Sequence, residues 1–441
     1  MKRFGYVLRT APATLIFIVL AAHFLRYPAG GLVAVALLAP LLLLVQRKWT
    51  VAVVQLMLIA AAFIFLQTGV SIAVRRIAIG EPWGRAAAIM AAVGILTIGA
   101  AALLRTKTVR AFHQSAAATS SASTAAFLLV FTLGAFPQIR MHDPVPLLAE
   151  RFLPGAGWVE LLLLAIYAAW LVEKLLCAKA TDRIRRNVWT GFSMVFFAQA
   201  ALGVAGVSKF LMTGSLHLPV PAMIAAGPFF RGEMSIFMPI LLGATLLFAG
   251  PAWCSWFCYL GSWDFLASRA KAVPEELTRH TVGVRIGILA VLCAGAVALR
   301  MAGVPMVVAA ALGILFGIGG VAVMLLLSRK RGVMVHCTAY CPIGLIATVA
   351  GKISPLRIRI GRDCTKCLSC LRKCRYGALT PETIGARSPG LTCTLCGDCL
   401  PACPHAQIGY WFPGLGAAAA KKTFFVIVVS IHALFIGFGR I

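Results

Sequence analysis

Eight of the fourteen cysteines lie between Cys364 and Cys403, and they follow one spacing twice. Cys364, Cys367, Cys370 and Cys374 run as C-x2-C-x2-C-x3-C, and Cys393, Cys396, Cys399 and Cys403 repeat it 29 residues later. Two intervening residues let a tight turn set successive sulfurs around one iron–sulfur cubane, while the fourth cysteine leaves toward the other. The ligands are therefore expected to cross. Cys364, Cys367, Cys370 and Cys403 would hold one [4Fe–4S] cluster, and Cys393, Cys396, Cys399 and Cys374 the second. Two zinc sites are the alternative for eight thiolates, and the doubled spacing favours cubanes. Gly377, Ala378 and Gly397 suit crowded turns. Pro404 follows Cys403, whereas Arg375 stands at the equivalent place after Cys374.

A second pair of motifs is less specific. Cys254-Ser-Trp-Phe-Cys258 recurs 83 residues later as Cys337-Thr-Ala-Tyr-Cys341, each followed by a Leu-Gly or Ile-Gly step, Leu260-Gly261 and Ile343-Gly344. On a helical turn, residues four apart share a face, so each pair could offer two thiolates to one metal. All four together, Cys254, Cys258, Cys337 and Cys341, would suit an iron–sulfur centre, zinc or Cu(I). Redox-active or merely packed thiols are the alternatives. Tyr259 replaces the proline found as Pro342, so the first turn is expected to be less rigid than the second.

These residues need a frame, and composition says which kind. Of 441 residues, 61% are hydrophobic and 12% charged, against about 45–50% and 25% in soluble domains. An ordinary soluble enzyme is excluded. Lys and Arg number 41 against 13 Asp and Glu, a net +28. These charges sit mostly in short loops between apolar runs, as topology demands, so nucleic acid is not an expected partner. Apolar runs recur near 11–26, 29–45, 50–73, 84–104, 124–137, 157–177, 188–210, 234–253, 281–302, 304–327 and 423–440, about eleven transmembrane helices. The first follows Lys2, Arg3 and Arg9 and reads as a signal anchor. The 124–137 run spans only if its helix begins in the Ser/Ala-rich stretch 115–126. With the N-terminus inside, eighteen Lys and Arg before residue 340, Arg279 among them, face inward and nine face outward. That places the N-terminus and 328–412 in the cytoplasm, where disulfides are not expected.

Other residues carry weaker signals. His23 and His432 lie at similar depth in the first and last spans, but a lone membrane histidine more often bonds a neighbouring helix, and haem is not expected. Arg285 and Arg300 sit near the ends of one span and are expected to reach the headgroups. Trp253, Trp256, Phe257, Tyr259 and Trp263 form either an interfacial belt or a shield around a metal. There is no GxGxxG or P-loop after a strand and no CxxCH, so the chain reads as a redox subunit rather than a self-contained enzyme.

The motifs carry a resemblance. Two helices then CSWFCYLG, two helices then CTAYCPIG, the segment Ser354-Pro355-Leu356-Arg357-Ile358 and the double cysteine run resemble the NapH/NosR/CcoG group of membrane polyferredoxins, over about 188–412. The resemblance implies electron transfer in a bacterial inner membrane, as in quinol oxidation for nitrate reduction, support of nitrous-oxide reductase, or copper reduction in oxidase assembly. It implies the crossed ligation of the eight cysteines and marks Cys254, Cys258, Cys337 and Cys341 as the paired CxxxCP-like motifs, from which Tyr259 departs.

The expected fold is thus a polytopic α-helical membrane protein with a small cytoplasmic α+β domain of the bacterial two-cluster ferredoxin type. Its parts are a six-helix region 1–187, a membrane core 188–353 with both CxxxC motifs, the ferredoxin domain 354–412, and a last helix in 413–441 ending in the periplasm. The expected function is relay of electrons between a quinone-side or cytoplasmic donor and a membrane or periplasmic acceptor. A metal-reducing or maturation factor working at the CxxxC pairs is the alternative, and a transporter with a redox-sensing tail a third. Lys352, Arg357, Arg359, Arg362, Lys366, Arg372, Lys373, Arg375 and Arg387 against Asp363, Glu382 and Asp398 suggest docking of an acidic flavodoxin or ferredoxin, or attraction to membrane lipid.

Overall fold

The computed structural model describes residues 2–27, 30–113, 117–140, 147–179, 181–210, 220–231, 237–277 and 280–438. Five expected features touch residues outside this set: Arg279, and the ends of the stretches at 29, 115–116, 234–236 and 439–440. Among the described residues, eight helices are long and apolar enough to cross a membrane, as suits a multi-pass membrane protein: Gly5–Phe24, Lys48–Ala78, Gly84–Leu103, Thr119–Ile139, Thr181–Val204, Thr281–Met301, Met306–Arg331 and Ala417–Phe438. Large apolar side chains such as Val291, Val307 and Leu315 stand exposed on their faces, which suits contact with lipid rather than water.

Eight candidate spans among the described residues stand beside the eleven expected, and three runs account for the difference. The 29–45 run breaks into an α-helix Gly30–Leu38 and a 3₁₀ stretch Ala39–Leu44, because Pro40 removes a helix donor. Among the described residues of the 234–253 run the α-helix Phe237–Ala249 has 13 residues, too few to span. The 157–177 run forms the helix Ala156–Cys177 but is not among the eight, and it carries buried Glu173. The 124–137 run does reach spanning length, its helix starting at Ala117 in the Ser/Ala-rich stretch.

The chain divides into two compact units, Met1–Cys177 and Ala178–Ile441. In the first, Glu173 accepts from Trp49 Nε1 at 3.2 Å and pairs with Arg47 at 3.3 Å, so its buried charge is satisfied. The second holds all twelve motif cysteines. Its polar part is tied together by one antiparallel ladder, Arg357–Ile360 against Ile408–Trp411, with Arg357 opposite Trp411 and Ile360 opposite Ile408.

Candidate metal centres

The two halves of 364–403 fold alike. Positive φ recurs at Lys366 and Leu395, at Leu368 and Gly397, and at Gly377 and Ala406, each pair 29 residues apart. A left-handed conformation costs an ordinary residue about 1–2 kcal/mol, and such strain concentrates where a turn is shaped around a ligand. The amide N–H of Ala378 donates to Cys374 Sγ and that of Gln407 to Cys403 Sγ, both at 3.3 Å.

Two similar cavities result. The first is lined by Cys364, Cys367, Cys370 and Cys403, the second by Cys374, Cys393, Cys396 and Cys399. Each run's fourth cysteine lies with the other run's first three. Four convergent sulfurs, with N–H donors aimed at one of them, fit a thiolate-held cubane.

Their surroundings differ. Cys367 is exposed beside Lys366, and Ser369 Oγ lies 3.5 Å from its sulfur. Hydrogen bonds from Ser369 hold the Cys367 thiol below its usual range. Around the second cavity, burial pushes Cys393 up to about 12 and raises Cys374, Cys396 and Cys399 as well. Thiols with raised values must shed protons to bind metal.

The CxxxC motifs fold as a second repeat, though not as regular helical turns. In each the second cysteine's N–H reaches back five residues, Cys258 to the Trp253 carbonyl at 3.1 Å and Cys341 to that of His336 at 2.8 Å. This π-type turn, a form found often at functional sites, moves the second cysteine off the shared α-helical face expected from i, i+4 spacing. Cys258 (φ −73°, ψ 111°) and Cys341 (φ −74°, ψ 118°) then serve as N-caps of the helices Tyr259–Ser268 and Pro342–Ala350. Tyr259 therefore leaves the backbone of the first motif unchanged. The four thiols come close enough to feel one another's charge, and burial raises all four, Cys258 to about 12. Helix N-termini oppose that rise and favour thiolates. Gly261 and Gly344 permit the approach: a Cβ on the first would stand 2.7 Å from the Trp189 ring, on the second 2.7 Å from the Cys337 carbonyl.

One core joins this thiol tetrad to the second cavity. Trp189, Phe265, Met334 and Tyr376 form a buried cluster, and Cys337, Cys374 and Cys396 all pack against it. Polar ties fix the arrangement. Arg185, 1% exposed, donates through Nε and Nη2 to Asp398 at 3.0 and 2.6 Å and through Nη1 to the Ser255 carbonyl at 3.1 Å. Ser255 Oγ donates to the Thr394 carbonyl at 2.7 Å, and Trp189 Nε1 to that of Cys258 at 2.8 Å. Arg375 caps the carbonyls of Ser268, Lys271, Ala272 and Gly332 at 2.8–3.0 Å.

Several expectations change accordingly. Arg375, Arg357 and Asp398 turn inward and leave the proposed charged face, while Lys352, Arg359, Arg362, Lys366, Arg372, Lys373 and Arg387 remain exposed on it. Arg300 is exposed, but Arg285 is buried beside the thiol tetrad instead of reaching the headgroups. Trp256 and Phe257 are buried against Phe424, Phe425 and Phe435 as a shield, whereas Trp263 is exposed. His432 is buried with Nδ1 3.3 Å from the Trp256 carbonyl, and His23 packs on Tyr27 and Phe65. Cys177 is exposed and Cys293 half-buried.

Sequence reasoning missed Asp264 and His336, whose ligand atoms lie within 4.8 Å of one another and of Cys337 Sγ. Asp264 Oδ2 accepts from the Cys337 N–H at 2.9 Å, and burial raises its carboxyl to about 6. Burial lowers His336 to about 4, leaving a neutral imidazole. A buried Asp one turn beyond Gly261 was the available signal.

No curated protein and no solved structure matches the chain in the comparisons made. A family description does: residues 230–270, which include Cys254 and Cys258, match that of a 4Fe-4S binding domain, and this match supports an iron–sulfur protein.

Proposed function

We propose that the protein is a membrane-bound electron carrier with three thiolate-held iron–sulfur centres. Cys364, Cys367, Cys370 and Cys403 hold the first, Cys374, Cys393, Cys396 and Cys399 the second, and Cys254, Cys258, Cys337 and Cys341 the third. Bound cubanes supply one-electron redox chemistry at potentials set by charge, hydrogen bonding and exposure. The observation that carries the reading is the buried core of Trp189, Phe265, Met334 and Tyr376, packed by Cys337 of one thiol set and by Cys374 and Cys396 of another. Such a core excludes water and keeps the sulfurs fixed.

The exposed edge at Lys366, Cys367, Arg372 and Lys373 is where an acidic flavodoxin or ferredoxin would dock, with steering that weakens as salt rises. The tetrad, beside the apolar helices, would exchange electrons with a quinone or a membrane partner. The charge asymmetry supports 354–412 on the cytoplasmic side of a bacterial inner membrane and the C-terminus in the periplasm. Metal analysis of anaerobically purified protein tests the reading: about twelve irons and as many sulfides are expected, falling to about eight in Cys254→Ser/Cys337→Ser, four per cubane. About eight irons in both would remove the third centre.

The grouping of Asp264, His336 and Cys337 favours one second reading, a metal-handling factor, since mixed O/N/S ligands suit zinc or copper. Stoichiometric zinc or copper lost on His336→Ala would support it.

A further inference from the structure

We propose that Arg285 is the counter-charge and hydrogen-bond donor of the centre held by Cys254, Cys258, Cys337 and Cys341, and that it raises that centre's reduction potential. The proposal rests on the reading that these thiolates hold an iron–sulfur cluster. Arg285 lies in the first turns of the helix Thr281–Met301 and is 1% exposed. Among the described residues its Nε and Nη1 have no hydrogen-bond partner, and it joins no ion pair. A Cβ on Gly344 would stand 2.8 Å from Arg285 Nη2, so the guanidinium lies on the turn that follows Cys341. As thiolates, Cys254, Cys341 and Cys337 would act on it electrostatically.

Arg185 is the contrast. It is equally buried, yet Asp398 and the Ser255 carbonyl satisfy it. A buried guanidinium without an anion is strongly destabilising, so Arg285 calls for a negative occupant. Four thiolates around an iron–sulfur core are negative in both redox states, and one electron from the external donor adds one negative charge. A fixed cation with donors to spare stabilises the reduced state more than the oxidised one. Glycine at 344 leaves the space that the guanidinium fills.

The test is an anaerobic dithionite titration of the full chain, followed by EPR. In Arg285→Gln the tetrad's reduction equilibrium falls at least about tenfold, or about 59 mV for one electron, while the two centres of the cysteine repeat keep theirs. Arg285→Lys keeps the charge and stays within about threefold, well inside the span of a charge removal. An unchanged potential in Arg285→Gln overturns the proposal, as does an equal fall in both variants. Loss of the third centre alone in Arg285→Gln supports it, because the anionic centre then needs the cation to assemble. Wild-type protein with ¹⁵N-labelled arginine gives a reading independent of folding: a nitrogen coupling on the third signal is expected, and its absence overturns the proposal. A wild-type chain with only two centres would instead overturn the parent reading before any variant is made.

Discussion

The two cavities of the cysteine repeat share spacing and backbone, yet exposed residues line one and none line the other. Cys367 is exposed beside Lys366, whereas the second cavity is walled by Tyr376 and Asp398, the latter fixed by buried Arg185. Position 398 corresponds to Ser369 in the first run, and Gly397 to Leu368. A duplicated motif thus sets the ligand cage twice, and the residues between the cysteines decide what each cage faces. On the proposed reading, the difference suits the first centre to exchange with a soluble partner and the second to contact with the tetrad's core.

The largest effect should come from breaking the wall. Asp398→Ala leaves Arg185 buried and unpaired, at a cost of about 3–5 kcal/mol. Urea titration should show the second centre's EPR signal lost first, while Ser369→Ala leaves the midpoint within about 0.5 kcal/mol. Equal shifts would erase the contrast. Next comes Gly397→Ala, where a Cβ would collide with Tyr410 Oη at a φ of 80°; overpacking and strain cost about 1–3 kcal/mol, against little for exposed Leu368→Ala.

Loading should also separate the cages by pH. Cys393, held up to about 12 by burial, stays protonated at neutral pH, whereas Cys367 is lowered. Iron affinity of the second cage should therefore climb more steeply from pH 7 to 10 than that of the first, because more protons must leave. Iron reconstitution of apo-protein at each pH, with the two signals quantified, checks this. Smallest is the Ser369→Ala effect on potential. Losing one donor to Cys367 should lower the first centre's midpoint by a few tens of mV, since a hydrogen bond is worth about 1 kcal/mol, and leave the second unmoved.

The cages were legible because their information is local. C-x2-C-x2-C-x3-C fixes which sulfurs converge, and the 83-residue repeat pairs the two CxxxC motifs. What connects them was not legible. Arg185 and Asp398 lie 213 positions apart, and nothing in either residue's neighbourhood names the other. Arg285 looked like one of many span-end arginines, since sequence gives the residue type but not the direction it faces. Arg375 did leave a trace, standing where Cys403 is followed by proline, and it became the cap of four carbonyls. Pro40 was visible within an apolar run, but hydropathy alone does not register a break in the helix.

The central claim is that the CxxxC tetrad neighbours the second cage and not the first. Pulsed EPR of the fully reduced protein tests it directly. Fast relaxation of the second centre's signal, abolished by Cys254→Ser/Cys337→Ser while the coupling between the first and second centres persists, is the expected result. Coupling of the tetrad to the first centre instead, or to neither, would contradict the account.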